Sequence, residues 1–225
     1  EDADKYPLMY QGASDNFSGP KDDIVVADAA HGADFEGEFA VITGNVPMGS
    51  TPQEALQAIR LVVMLNDISY RALAPREMKT GFGFVQAKGA TAFAPIAVTP
   101  DELGSHWQNA RVHLNMVIHR TGEKFGTPHG AEMHFGFDEL IAHAAVTRSL
   151  NPGTVVGSGT VSNEDPSVGQ ACIAELRAKE MIANGAPSTL FLQHGEVVTL
   201  KATDDAGNSL FGEIRQHVVV ENHHV

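Results

Sequence analysis

The residues best placed to do chemistry are two glutamates separated by a single glycine. In Asp34-Phe35-Glu36-Gly37-Glu38-Phe39-Ala40-Val41-Ile42 the carboxylates alternate along an otherwise apolar segment. The two-residue period of a strand puts Glu36 and Glu38 on one face. Two like charges side by side repel, so something positive should lie between them, and an oxygen-rich cluster suits Mg²⁺, Mn²⁺ or Ca²⁺. Taken alone, such a pair also fits a solvated strand face. Asp67 favours the metal, because it follows the continuous apolar run Leu61-Val62-Val63-Met64-Leu65. An unpaired, ionised carboxylate at the end of a buried strand would cost on the order of several kcal/mol. Arg71 comes soon after it, and Lys88 sits in the small-residue loop Gln86-Ala87-Lys88-Gly89-Ala90, a setting that taken alone favours an exposed lysine.

These groups need strands to carry them. Glycines (22) and prolines (11) punctuate the chain too often for a helical bundle, and short β-branched runs lie between them. One helix start is explicit: Thr51 can cap, Pro52 takes the first helical position and Glu54 completes a capping box. The helix is expected to be short and to give way to the 61–65 strand. A further strand is expected over Phe93 to Val98. Val112, Leu114, Met116 and Ile118 alternate before the turn Thr121-Gly122-Glu123, which predicts a half-buried hairpin strand. Asp138 to Leu150 reads as a helix that stops before Pro152-Gly153, with a strand at Thr154-Val155-Val156. From Leu190 to Val220, Val197, Thr199 and Ala202 alternate around an Asp204-Asp205-Ala206-Gly207-Asn208 turn, which predicts a closing β-hairpin. The reading is β-rich α+β, taken as one domain over 1–225.

Composition narrows the partners. Fifteen Lys+Arg against 28 Asp+Glu give a formal charge of −13, which repels phosphate backbones and anionic bilayers, so neither nucleic acid nor membrane is expected. A small anionic substrate could bind only where a metal ion or a placed cation reverses the local potential. Cys172 is the single cysteine, so no intramolecular disulfide can form, as in a reducing compartment such as the cytoplasm. No apolar stretch approaches the length of a bilayer span, and the opening EDADKYP is acidic, unlike a signal sequence. The start on Glu1 suggests numbering that begins inside a longer polypeptide. The tail Asn222-His223-His224-Val225 is expected to be a solvated end.

Four blocks in order, FEGEFAVITG, LNDISYR, QAKGATAFAPIAVT and GSGTVSN, resemble the fumarylacetoacetate hydrolase family over nearly the whole chain. The resemblance implies that family's mixed β-sandwich or roll with a few short helices. It implies metal-binding carboxylates at Glu36, Glu38 and Asp67 and a divalent cation, Mg²⁺ first, with Mn²⁺ or Ca²⁺ as alternatives. It further implies substrate contacts from Tyr10, Arg71 and Thr160, the threonine at the substrate's carboxylate end, a charge-stabilising lysine at Lys88 and a water-activating glutamate at Glu175. Two departures stand out. Ala74 takes the place of a substrate-binding glutamine, and the family's fourth metal-ligand Asp and general-base His lie upstream of the tyrosine matched by Tyr10.

The implied activity is hydrolysis of a carbon–carbon bond in a small anionic diketo acid, of the fumarylacetoacetate or acylpyruvate type, by a homodimer working in aromatic catabolism. The alternatives are a decarboxylase, hydratase or isomerase of small oxo acids on the same fold, or a non-catalytic metal-binding protein. Rival motifs are incomplete. His129-Gly130-Ala131-Glu132-Met133-His134 lacks the HExxH spacing, Gly157-Ser158-Gly159 lacks the G-x-S-x-G elbow, and Gly81-Phe82-Gly83 has no dinucleotide-binding context.

Overall fold

The strand that begins beside the glutamates runs from Gly37 to Thr43 and pairs antiparallel with Ile59–Asn66, so that Gly37 faces Asn66 and Glu38 faces Leu65. A computed structural model of the chain describes residues 5–221. Residues 1–4 of the acidic opening and the histidine-bearing tail 222–225 lie outside the described residues. With Val155–Gly157 on one side and Ala92–Phe93 on the other, the central pair makes a four-stranded antiparallel sheet.

A five-stranded sheet lies against it, in the order Ile24–Val26, Glu213–Val220, Val197–Thr203, Asn115–Arg120 and Glu123–Gly126. Its first pair is parallel and the rest are antiparallel. The sheets approach closely at Gly37, where a Cβ would stand 3.0 Å from both Ile118 and Met116. One core, with Phe39, Met64, Met116, Ile118 and Leu200 at its centre, joins them. The outcome is the β-rich α+β sandwich with short helices expected from the sequence.

The capping box forms as read. Glu54 N–H donates to Thr51 Oγ1, Thr51 N–H donates to Glu54 Oε2 at 2.8 Å, and the helix spans Pro52–Ala58. Thr121 and Gly122 both take positive φ, the mark of a two-residue hairpin turn. The closing hairpin is present as well, with Asn208 N–H donating to Asp204 Oδ1 at 2.8 Å in its turn.

Other expectations need correction. The helix read over Asp138–Leu150 spans only Phe137–Ala144, because Leu150 leaves it to exchange backbone hydrogen bonds with Val46. The strand read over Phe93–Val98 shrinks to Ala92–Phe93: Pro95 has no N–H to continue the ladder, which resumes only at the Val62–Val98 bridge. The 112–118 strand divides into Arg111–Val112 and Asn115–Arg120, although its alternate residues are buried as read. In the closing hairpin the inward residues are Val198, Leu200 and Ala202, one step out of phase with Val197 and Thr199. Among the described residues no helix is long and apolar enough to cross a membrane.

Candidate metal centre

Strand register alone brings two of the carboxylates together. Continuing the pairing of Gly37 with Asn66 by one residue sets Glu36 opposite Asp67, and Asp67 N–H donates to the Glu36 carbonyl at 3.0 Å. Glu38 shares a face with Glu36. Glu36, Glu38 and Asp67 are all buried, and each offers a ligand oxygen within 4.8 Å of the others.

Cations hold two of the three. Lys88 Nζ donates to Glu36 Oε2 and Asp67 Oδ2, both at 2.8 Å, and to Ser69 Oγ at 2.7 Å. Its position comes from the backbone, since Lys88 bridges to Ser69 at the short strand Ser69–Tyr70. The neutral alternative of an exposed loop lysine is thereby set aside. Arg71 reaches Glu36 Oε1 at 2.6 Å and Asp34 Oδ2 at 2.8 Å. Tyr10 O–H donates to Asp67 Oδ2 at 2.5 Å while its ring lies 4.9 Å from the Lys88 ammonium, a cation–π distance. Thr91 Oγ1 donates to Asp67 Oδ1 at 3.0 Å.

The electrostatics follow from burial and from these pairs. Burial raises the Glu36 carboxyl, but Lys88 and then Arg71 outweigh it and hold the group below its ordinary range. Burial, then the charges of Glu36 and Asp67, push Glu38 well above that range. Tyr10 is raised by burial and then by the Asp67 charge. Burial also raises Asp34, against the pull of Arg71. Burial and the charge of Asp34 push the Cys172 thiol up to about 12, which argues against a nucleophilic role.

The donor set fits a divalent cation. With all four carboxylates ionised, Asp34, Glu36, Glu38 and Asp67 stand against two cations, Arg71 and Lys88, an excess of two negative charges that a dication would balance. Glu38 makes no ion pair among the described residues; Gly159 N–H donates to its Oε2 at 3.2 Å. Gly157 keeps this side open, since a Cβ there would stand 2.7 Å from the same oxygen. An all-oxygen, acid-rich pocket of this kind suits Mg²⁺, Mn²⁺ or Ca²⁺.

Several supporting residues escaped the sequence reading. Asn66 Oδ1 accepts from Glu36 N–H at 3.0 Å, and Asn66 Nδ2 donates to Gln216 Oε1 at 3.0 Å. Asp34 accepts from the N–H groups of Ile173 and Ala174, the first turn of the helix Ile173–Asn184, at 2.7 and 2.9 Å. Glu77 accepts from the N–H groups of Val85, Gln86 and Ala87 just ahead of Lys88. The only local hint of Asp34 and Asn66 was a polar residue beside each carboxylate block.

Six of the eight residues singled out from the sequence therefore meet: Tyr10, Glu36, Glu38, Asp67, Arg71 and Lys88. Thr160 makes no hydrogen bond to the triad among the described residues and lines a neighbouring cavity. Glu175 lies in the first turn of the Ile173–Asn184 helix, where it accepts from Ser162 Oγ at 3.2 Å and pairs with Lys179 at 2.9 Å. Ala74 begins the helix Ala74–Thr80.

The sequence model described as fumarylacetoacetate (FAA) hydrolase C-terminal matches residues 1–219. The chain is 27% identical over 197 residues to a 2,4-didehydro-3-deoxy-L-rhamnonate hydrolase of Sphingomonas sp. (strain SKA58), covering 86% of this chain and 60% of that protein. It thus spans only about 60% of the length of that curated relative. The fold resembles the crystal structure of fumarylpyruvate hydrolase from Pseudomonas aeruginosa in complex with Mn²⁺ and pyruvate, with a TM-score of 0.66 at 14% identity, over 92% of this chain and 75% of that one. It also resembles 2-hydroxyhepta-2,4-diene-1,7-dioate isomerase from Mycobacterium marinum, with a TM-score of 0.62 at 19% identity, over 91% and 66%.

Proposed function

We propose, from the premise that this chain belongs to the fumarylacetoacetate hydrolase family, that it hydrolyses a carbon–carbon bond in a small anionic oxo acid of the acylpyruvate type. The observation that carries this reading is the buried triad Glu36, Glu38 and Asp67, whose ligand oxygens lie within 4.8 Å of one another. A divalent cation bound there, Mg²⁺ or Mn²⁺ before Ca²⁺, supplies a Lewis acid for the oxygens of a 2,4-dioxo acid. It also supplies the positive charge that an anionic substrate needs in a chain of net charge −13.

The protein groups do the rest. In the balanced reaction water adds to the acyl carbonyl, the bond to the adjacent carbon breaks, and its electron pair becomes an enolate that takes up a proton, releasing a carboxylic acid and pyruvate. Lys88, whose ammonium spans Glu36 and Asp67, is placed to stabilise the enolate charge. Arg71 is anchored by Asp34 and Glu36, keeps about a quarter of its side chain exposed and can meet a substrate carboxylate. Tyr10 covers Lys88 with its ring and shields it from water. Thr160 orients the substrate from the adjacent loop, and Glu175 is assigned to the water.

Chemistry that needs no activated water is the second reading: isomerisation or decarboxylation of an oxo acid. What favours it is that Glu175 meets Ser162 and Lys179, with no imidazole beside it among the described residues. The deciding experiment measures acylpyruvate loss and pyruvate release with Mn²⁺ and with excess chelator. Metal-dependent release of both products supports hydrolysis. Metal-dependent isomer or CO₂ formation without cleavage moves the assignment to the second reading. Metal binding without any turnover leaves a non-catalytic metal protein.

A further inference from the structure

We propose that Gln216 is a positioning residue for the carboxylate triad, acting through Asn66 on the backbone of Glu36; this rests on the reading of the triad as a metal centre. Both main-chain groups of Glu36 are held by consecutive residues of the facing chain. Its N–H donates to Asn66 Oδ1 at 3.0 Å, and its carbonyl accepts from Asp67 N–H at 3.0 Å. The backbone supplies only the second bond. The first depends on a side-chain amide that must present its oxygen to Glu36, since the same amide turned over would set an NH₂ against an N–H.

Gln216 decides which way that amide faces. Asn66 Nδ2 donates to Gln216 Oε1 at 3.0 Å, and Gln216 Nε2 donates in turn to the Asp22 carbonyl at 2.9 Å. A backbone carbonyl only accepts and an N–H only donates, so the series from Asp22 to Glu36 is satisfied in one direction alone. Each amide must point its NH₂ toward Asp22 and its oxygen toward Glu36. Water is not there to repair a reversal, because Asn66 is 0% and Gln216 1% exposed, and a buried polar group left without a partner costs more than a hydrogen bond is worth. The position itself calls for an explanation. Gln216 stands between the buried Ile214 and Val218 on the inward side of the strand Glu213–Val220, where an apolar side chain would bury without needing partners. Its far end is fixed by backbone: Gln216 pairs with Val198, and Arg215 N–H beside it donates to the Pro20 carbonyl at 2.7 Å. The five-stranded sheet thereby reaches across to orient a metal-ligating residue of the other.

Gln216→Met keeps the length and burial of the side chain and removes both of its amide bonds. In the metal-free protein, hydrogen exchange read by NMR should show the Glu36 amide faster by at least about tenfold relative to those of Val46 and Val62, which donate to the Leu150 and Val98 carbonyls. Mn²⁺ affinity, measured by calorimetry, should fall about 10–100-fold, as for a group that orients a metal ligand. Asn66→Ala should cause a loss of the same order, and adding Gln216→Met to it should cost less than about threefold more, because both act through one amide. Uniform acceleration of all the slow amides, an unchanged Mn²⁺ affinity in Gln216→Met, or losses that multiply in the double variant would overturn the positioning role. Should Gln216→Met fail to fold, the unsubstituted protein decides: Glu36 exchange as slow as that of Asp67 supports the role, and exchange at the rate of an unbonded amide removes it. If the unsubstituted protein binds no Mn²⁺, the reading of the triad falls first and takes this inference with it.

Discussion

Glu36 and Asp67 face each other across two antiparallel strands, with the Asp67 N–H on the Glu36 carbonyl at 3.0 Å and the Lys88 ammonium 2.8 Å from a carboxylate oxygen of each. The backbone ladder that holds the sheet together thus also sets the spacing of the carboxylates. Changes to the side chains should alter charge and chemistry while leaving that spacing intact.

Glu38→Gln should show this most simply. Changing a group that merely supports a metal ligand costs about 10–100-fold in affinity, and losing a carboxylate ligand should exceed about 100-fold. The same substitution should raise the stability of the metal-free protein, because burial and then the charges of Glu36 and Asp67 disfavour the ionised form of Glu38, which has no ion pair among the described residues, and the amide is always neutral. In the unsubstituted protein, Mn²⁺ at 100 times its dissociation constant should add about 2.7 kcal/mol, or roughly 5–10 °C in melting temperature. Thermal unfolding with chelator and with Mn²⁺ measures both effects. An unchanged melting temperature would argue against a metal at the triad.

Lys88→Met should separate binding from turnover. Removing a preorganised positive group facing a developing anion lowers kcat by about 10²–10³. Mn²⁺ affinity should change by less than about tenfold, since all three carboxylates remain. Comparable losses in kcat and in metal affinity would make Lys88 a structural partner of the triad and nothing more.

Asp34→Asn tests the support behind Arg71. Asp34 accepts from Arg71 Nε and from two helix N–H groups, and an amide NH₂ in place of one oxygen would meet a donor. Breaking a buried pair costs about 3–5 kcal/mol. The lower end applies here, because Arg71 keeps Glu36 and is partly exposed. Denaturant unfolding measures the loss, and KM for the oxo acid should rise as Arg71 loses its anchor.

Glu77→Gln links stability to pH. The Gln86 N–H, then those of Val85 and Ala87 with help from Arg76, hold the Glu77 carboxyl below its ordinary value against the opposing effect of burial. A carboxyl depressed in the folded state stabilises fully above its unfolded value, near 4.3, and that contribution is lost as pH falls toward the folded value. The variant should melt lower at pH 7, and the two proteins should converge as the pH is taken below 4. A difference that persists unchanged into acid would assign the effect to shape instead of charge.

Local pattern was enough to read much of this protein. The alternation of Glu36 and Glu38, the apolar run closing at Asp67, the Thr51 capping box and the Thr121-Gly122 turn all depend on neighbours a few residues away, so they are legible in the sequence. The family resemblance extended that reading to Tyr10, Arg71 and Lys88. What the tertiary structure alone decided are contacts between residues far apart in the chain, for which no local periodicity exists. Asn66 reaches Gln216 across 150 positions, and Asp34 reaches Ile173 across 139. The same holds where long-range pairing overrode local preference, as when Leu150 left its expected helix for Val46. Glu175 and Thr160 were placed by local resemblance, and only the folded chain shows the first beside Ser162 and the second on the cavity wall. Residue types and short spacings specify which carboxylates can face one another; the balance of charge around them depends on segments that only the packed sheets bring together.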